Sequence, residues 1–235
     1  LSLAKSATTS MDSQAIMHGQ DLMALEGNYE HEDGTPECIH CGLKRGQKKV
    51  LRRGKKAYRR LAEHIGLIPI VTVSPADQWL IAGGSEERRR FMDIIISQYN
   101  PVYLDALTRY NKALQQRNAL LKQEEEPDDD LLALLEEEMA RVGTYIYGER
   151  QKYVEHFTPT FQSFYSLISQ EKESVSLTYT SHGQRGDLLE VIRRDRAKDR
   201  AVGYSLHGTH RDDLEMLMGG FPIRREGSQG QNKTY

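Results

Sequence analysis

Ten Lys or Arg residues and no acid lie between Lys44 and Arg60, in a chain whose formal net charge is only −2. Such a run suits a polyanion partner. Each cation that neutralises a phosphate releases condensed counterions, which gives salt-dependent affinity without base readout. A solvated hairpin or helix face explains a charge run as readily. The acids cluster too, with nine and no base from Glu124 to Glu138. Pro127 cannot continue a helix, so this block reads as a turn. It places Asp128, Asp129 and Asp130 at a helix N-terminus, where negative charge complements the dipole.

Cys38-Ile39-His40-Cys41 has the spacing of half a zinc site or of a redox pair. A structural zinc centre needs four ligands, and the sequence holds no second CxxC or HxxxH. On a strand the two thiols point to opposite faces. They are read as ordinary strand residues, and no metal is expected. His210-Arg211-Asp212-Asp213 echoes a kinase catalytic loop, but position 217, five residues after Asp212, is Leu where that loop needs Asn. Gly227 to Thr234 falls short of a P-loop, because Asn232 stands where Gly should precede Lys233. Arg88, Arg89 and Arg90 open a helix, where cations oppose the dipole. Either they bridge to Glu86, Glu87 and Asp93, the last at i,i+4 from Arg89, or they face a phosphate.

These residues need elements to position them. Leu22 to Glu30 reads as a strand, and 38–43 pairs with 50–53 across a turn at 44–47. Residues 57–65 look helical and end at Gly66. Leu67 to Val73, apolar and β-branched, reads as a buried strand. Ser85 to Tyr99 is a helix with Ser85 as N-cap. Pro101 opens the next helix, which runs to about Gln123. In it Leu107, Leu114 and Leu121, with Leu104, Asn111 and Asn118 three positions before each, outline a coiled-coil seam with two polar positions. From Asp128, the residues Leu132, Leu135, Met139, Val142, Ile146 and Tyr153 mark a third helix, which Pro159 should kink or interrupt on its way to Ser169. Ser174 to Thr180 alternates like a strand, and Asp187 to Lys198 is a short helix. Val202 to Leu206 reads as a further strand, and Asp213 to Ile223 as one or two more, broken at Gly219-Gly220. Strands, an antiparallel helical arm, then strands again describe one domain with a helical insertion.

A chain of 235 residues, 38% of them hydrophobic, can bury a sizeable core in one or two domains. No apolar run reaches the ~18 residues of a membrane span, and no signal-peptide pattern is present. Two cysteines exclude a disulfide scaffold and suit a reducing cytoplasm. The chain opens on Leu1 and stops at Tyr235, just after a Gly/Ser/Gln-rich stretch, so a piece of a longer polypeptide is expected.

Several segments, in order, resemble the RecF family. They are Lys5-Ser-Ala7 with Asp12-Ser13; Val73-Ser-Pro-Ala-Asp77; Leu80-Ile-Ala-Gly-Gly-Ser-Glu-Glu-Arg-Arg-Arg-Phe-Met-Asp93; Gly208-Thr-His-Arg-Asp-Asp-Leu214; and Gly227-Ser-Gln-Gly-Gln231. The resemblance implies an α/β fold, α+β-like as a fragment: a partial ABC-type ATPase head with an inserted antiparallel, coiled-coil-like helical arm. It implies a first head segment at 1–84 with the basic stretch, an arm at 85–171, and a return to the head at 172–235. It implies an intact cytoplasmic protein that binds ATP and Mg2+, hydrolyses ATP weakly, dimerises on ATP, and binds single-stranded and gapped DNA. Such a protein acts with RecO and RecR in recombinase loading. In the family Walker A lies before this chain and Walker B after it, so this chain alone should neither bind nor hydrolyse ATP. Ser228, Gly230 and Gln231 then match the ABC signature, which contacts the γ-phosphate of ATP on the opposite subunit, although Gly227 and Gln229 depart from the general ABC pattern. Lys44, Arg45, Lys48, Lys49, Arg52 and Arg53 become the DNA-contacting hairpin. Asp77, Arg88, Arg89, Arg90, Asp93, His210, Arg211, Asp212 and Asp213 are family-motif residues near the nucleotide or the dimer interface. The rival readings are a non-enzymatic DNA-binding or adaptor module, and another SMC- or Rad50-like head, whose coiled coils are much longer.

Overall fold

A computed structural model describes residues 1–6 and 11–235, without the side chains of Pro75, Ala76, Gln229, Lys233 and Thr234. Ala7, within the first family-like segment, lies outside the described residues. The chain divides into two compact units, one of residues 1–72 and 97–101, the other of 73–96 and 102–235.

The first unit is built on an antiparallel sheet in the order β1 (Leu22–Glu30), β2 (Pro36–Lys44), β3 (Val50–Arg53), β4 (Lys56–Ala57). Leu22 pairs with Lys44 and Glu30 with Pro36, while Ile39 pairs with Arg53 and Gly42 with Val50. The expected hairpin therefore forms. Its turn closes by Gln47 N–H donating to the Lys44 carbonyl at 2.9 Å. Burial alternates along β2 with the two-residue period of a strand, and Ile39, Cys41 and Leu43 are its buried side. Ile39, Cys41, Leu51 and Ala4 form a small core with Tyr29, Tyr58 and Ile65. His64 is wholly buried: Tyr58 Oη and the Leu1 carbonyl each lie 3.1 Å from one ring nitrogen, and burial pulls its pKa down. Gly66 has φ +91°, and an added Cβ would lie 2.2 Å from the Gln98 carbonyl oxygen, so only glycine fits there.

Two expectations fail in this unit. The helix over 57–65 shrinks to a single 3-10 turn, Leu61–His64, because Ala57 is taken by β4. The strand over 67–73 is irregular instead, with Val71 and Val73 85% and 88% exposed. Apolar β-branched composition favours a strand but does not supply a pairing partner.

The second unit holds the long helices. After α1 (Trp79–Ala82) come α2 (Ser85–Tyr99), α3 (Pro101–Leu121) and α4 (Asp129–Ser169). Then follow β5 (Val175–Thr180), α5 (Leu188–Arg194), α6 (Arg196–Val202), β6 (Asp213–Met218), β7 (Phe221–Pro222), α7 (Ile223–Glu226) and α8 (Gln229–Thr234). The three strands make an antiparallel sheet in sequence order, with Val175 opposite Met218 and Thr180 opposite Asp213. Met92, Ile96, Tyr103, Tyr110, Met139, Ile146, Tyr179, Ile192 and Leu214 share one core, so the helices and the sheet fold as one body.

Asp128 caps α4 by accepting from the amides of Asp130 and Leu131 at 2.9 and 3.1 Å. The 41 residues of α4 span about 60 Å. Pro159 does not interrupt it, contrary to expectation. Tyr153, Phe157, Phe161 and Tyr165 stack at four-residue steps, 5.3 to 6.2 Å apart, and bridge the turn where the proline removes a hydrogen bond.

Of the expected leucine series Leu121 is in the buried α3 seam, and the rest of the seam lies one residue before the other leucines. Its buried stripe is Tyr103, Ala106, Tyr110, Ala113, Arg117 and Leu121. Leu107 and Leu114 only flank the core, and Asn111 is exposed. Tyr103 meets Arg150, Tyr110 lies against Gly143, and Arg117 meets Glu136. Each seven-residue step along α3 is a seven-residue step back along α4, which makes the pair antiparallel. The helix expected at 187–198 is two, α5 and α6, and the strand expected at 202–206 is absent because Gly203, at φ +77°, turns the chain out of α6.

Candidate functional site

The two arginine- and aspartate-rich motifs converge inside the second unit. Arg88 Nε and Nη2 donate to the two carboxylate oxygens of Asp213 at 2.6 and 3.0 Å, a bidentate pair across 125 residues. Its Nη1 donates to the carbonyls of Leu80 and Gly83, which closes the end of α1. Arg89 Nη1 donates to the Asp212 carbonyl at 2.7 Å. Local bridging of these arginines to Glu86, Glu87 and Asp93 is thus replaced by contacts to the start of β6. Arg90 is exposed.

Asp93 is engaged by a residue the sequence reading passed over. Arg150 Nη2 donates to both Asp93 oxygens at 2.9 and 3.1 Å, and its Nη1 donates to Asp212 Oδ2 and to the Thr209 carbonyl, each at 2.9 Å. Tyr103 Oη accepts from Arg150 Nε at 3.0 Å and donates to Asp93, and Tyr179 Oη donates to Asp212 at 2.5 Å. Burial works against the Arg150 charge, but Tyr103, Asp93, Tyr179 and Asp212 hold its pKa well above the ordinary value. Burial pushes the Asp212 carboxyl up, against the pull of Arg150. Asp212 Oδ1 is buried without a partner among the described residues. The signal that could have found Arg150 is its place on the buried face of α4, four residues after Ile146 and across from Tyr103 on α3.

His210 is held between Tyr110 Oη, which donates to Nδ1 at 2.8 Å, and the Ser205 carbonyl, which accepts from Nε2 at 3.0 Å. Burial pulls its pKa down to about 4, so the ring is neutral. Gly208, at φ +134°, cannot carry a Cβ, which would lie 2.2 Å from Tyr110 Oη. Arg211 is exposed, reaches the Ser205 carbonyl at 3.0 Å, and stacks over the Tyr204 ring. Asp77, in a 3-10 turn at Pro75–Gln78, accepts from Ser74 N–H at 2.5 Å and joins none of these groups. The cluster's polar atoms mostly satisfy one another and present no nucleophile with a base. Its chemistry is positional: it locks the start of β6 to α2 and α4.

Beyond β6 and β7, the segment Gly227–Gln231 forms a capping box. Ser228 Oγ accepts from Gln231 N–H at 3.2 Å, and Gln231 Oε1 accepts from Ser228 N–H at 2.7 Å. Gln231 Nε2 also donates to Glu173 at 2.5 Å, and Glu173 accepts from Tyr165 Oη at 2.7 Å. These hydrogen bonds hold the Glu173 carboxyl below its usual range. Gly227 has no room for a Cβ, which would lie 2.6 Å from the Ile223 carbonyl oxygen. Ser228 and Gly230 are exposed. The Ser228 hydroxyl accepts from the helix amide and keeps its own hydrogen to donate outward.

In the first unit the six basic residues part company. Lys49 pairs with Asp12, and Arg53 Nη2 lies 2.5 Å from Glu37. Arg45 reaches the Gln20 carbonyl at 3.2 Å and lies 4.0 Å from Asp21. Lys44, Lys48 and Arg52 are exposed and have no ion pair among the described residues.

A mixed α/β body, with an antiparallel helical pair inserted before a glycine-rich, serine-capped turn, is the architecture of an ABC-type ATPase head. No family model matches the chain. The chain is 58% identical over 235 residues to the DNA replication and repair protein RecF of Bacteroides fragilis, and covers all of this chain and 64% of that protein. It is 47% identical to the RecF of Porphyromonas gingivalis, of which it covers 65%. A solved structure described as the recombination mediator protein RecF-ATPrS in the RecFOR pathway matches 99% of this chain and 66% of its own, at TM-score 0.92 and 27% identity. A second, described as RecF-ATP, matches at TM-score 0.89 and 28% identity, over all of this chain and 65% of its own. Along its whole length the chain is thus similar to RecF proteins, and it spans about 64% of the length of the curated relatives it matches.

Proposed function

We propose that the protein of which this sequence is part is an ATP-switched DNA-binding clamp. It acts in recombinational gap repair with RecO and RecR to promote recombinase loading. The observation that carries this reading is the likeness along the whole of this chain, in sequence to curated RecF proteins and in fold to solved RecF structures described with ATP and ATPrS.

Mg2+-ATP held on one subunit would present its γ-phosphate to the signature turn of the other, where Ser228, Gly230 and Gln231 stand. The exposed Ser228 hydroxyl, fixed by the capping box, donates to that anion, and Gly230 keeps the approach open. Gln231 holds the turn in shape through Ser228 and Glu173. Exposed Arg90 and Arg211 extend from the buried cluster toward the nucleotide or the second subunit. DNA backbone contact falls to the β2–β3 hairpin, with Lys44, Lys48 and Arg52 carrying most of it and Arg45, Lys49 and Arg53 in support.

The test is DNA affinity of the complete protein with and without ATP, for the native sequence and for Ser228→Arg. ATP should raise affinity in the native protein and not in the variant. Equal affinity in all four conditions would identify a DNA-binding module without nucleotide control.

A further inference from the structure

On β1 and β2 the side of the sheet opposite the core carries a donor cluster that the basic hairpin does not use. Glu26 stands directly opposite His40 in the register, and Cys38 precedes His40 by two residues, so all three side chains leave one face. One donor atom from each lies within 4.8 Å of the other two. Cys38 Sγ is 3.1 Å from His40 Nε2, and His40 Nδ1 is 3.1 Å from Glu26 Oε2. Cys41 belongs to the other face and is buried in the core. The Cys-x-x-Cys spacing is therefore not what assembles the group.

We propose that Glu26, Cys38 and His40 form a three-ligand site for a borderline-soft divalent cation of the zinc class, open at its fourth position. Donors of a tetrahedral zinc ion stand roughly 3.4–3.8 Å apart at ordinary Zn–S, Zn–N and Zn–O lengths. The donor atoms already lie within 4.8 Å of one another; His40 turns Nε2 to Cys38 and Nδ1 to Glu26, so the imidazole must rotate to bring one nitrogen to a shared ion. Sulfur, imidazole and carboxylate together select zinc or cobalt over calcium and magnesium, which take oxygen alone. Thiolate and carboxylate cancel the charge of the ion; the thiol proton passes to solvent as the S–metal bond forms. Asn28 Nδ2 donates to Glu26 Oε1 at 3.2 Å, which orients the carboxylate and leaves Oε2 for the metal. The side chains of Glu26 and His40 are 55% and 42% exposed, which provides an entry path and room for a bound water. Arg52 faces His40 in the register from β3, so its removal should tighten metal binding.

The test is titration of the metal-free chain with Co2+, followed by Zn2+ competition. One equivalent of Co2+ should give a thiolate-to-cobalt charge-transfer band that Zn2+ abolishes. Cys38→Ser should remove the band, and His40→Gln should weaken binding at least about tenfold. Cys41→Ser, checked by circular dichroism for its fold, should retain the band. Absence of the band in the native chain, or its loss in folded Cys41→Ser with retention in Cys38→Ser, would overturn the proposal.

Discussion

Arg150 and Asp212 meet at 2.9 Å in the interior of the second unit, one 2% exposed and the other fully buried. Neither charge is solvated by water, so each depends on the other and on Asp93, Tyr103 and Tyr179. A buried pair adds little net stability as a pair, but removing one partner leaves an uncompensated charge. Arg150→Met should therefore lower unfolding stability by about 3–5 kcal/mol. Urea denaturation checks this, and a loss under about 1 kcal/mol would contradict the assigned role.

Arg88 and Arg90 are neighbours with opposite fates. Arg88→Lys cannot reproduce the fork onto Asp213 and should cost about 1–3 kcal/mol. Arg90→Lys, at an exposed position, should stay within about 0.5 kcal/mol. Thermal unfolding of the two variants side by side would expose an inverted order.

His210 makes stability depend on pH. The ring stays neutral in the fold down to about pH 4, whereas an unfolded histidine takes up its proton near 6.5. The unfolded chain thus binds more protons in that window, and acid favours unfolding. The contribution is complete above about pH 6.5 and is lost as pH falls toward 4, by up to about 3 kcal/mol. Denaturation at a series of pH values should show this slope, flattened in His210→Gln. An identical slope in that variant would assign the effect elsewhere.

Pro159 sits inside a continuous helix at the expense of one backbone hydrogen bond. Pro159→Ala restores the donor and should raise stability by about 1–3 kcal/mol. Destabilisation on denaturant unfolding would mean that the proline is needed for the shape of α4.

Much of this architecture was legible, and its failures share a cause. The bounds of β1, β3 and α2 follow from local periodicity and turn residues, and the Cys38/Cys41 opposition follows from the strand period alone. Long-range choices did not. Arg88 had acids within one helical turn, yet its partner lies 125 residues away. Arg150 meets Asp93 and Asp212 across 57 and 62 residues, a distance no local pattern encodes. The α3 seam departs from the leucine series because, apart from Leu121, leucines flank it while Tyr, Ala and a buried Arg fill it. The run 67–73 had strand composition without a strand beside it. The cluster of Glu26 with Cys38 and His40 required the β1–β2 register before it could be seen.

The central claim, that the β2–β3 hairpin makes the DNA contact through backbone phosphates, is tested most directly by a salt series. Affinity of this chain for a single-stranded oligonucleotide would be measured for the native sequence and for the combined Lys44→Gln, Lys48→Gln and Arg52→Gln variant. Three lost phosphate contacts should weaken binding and make the slope of log K against log salt shallower by about 2. An unchanged affinity and slope would contradict the assignment of the hairpin as the DNA-binding surface.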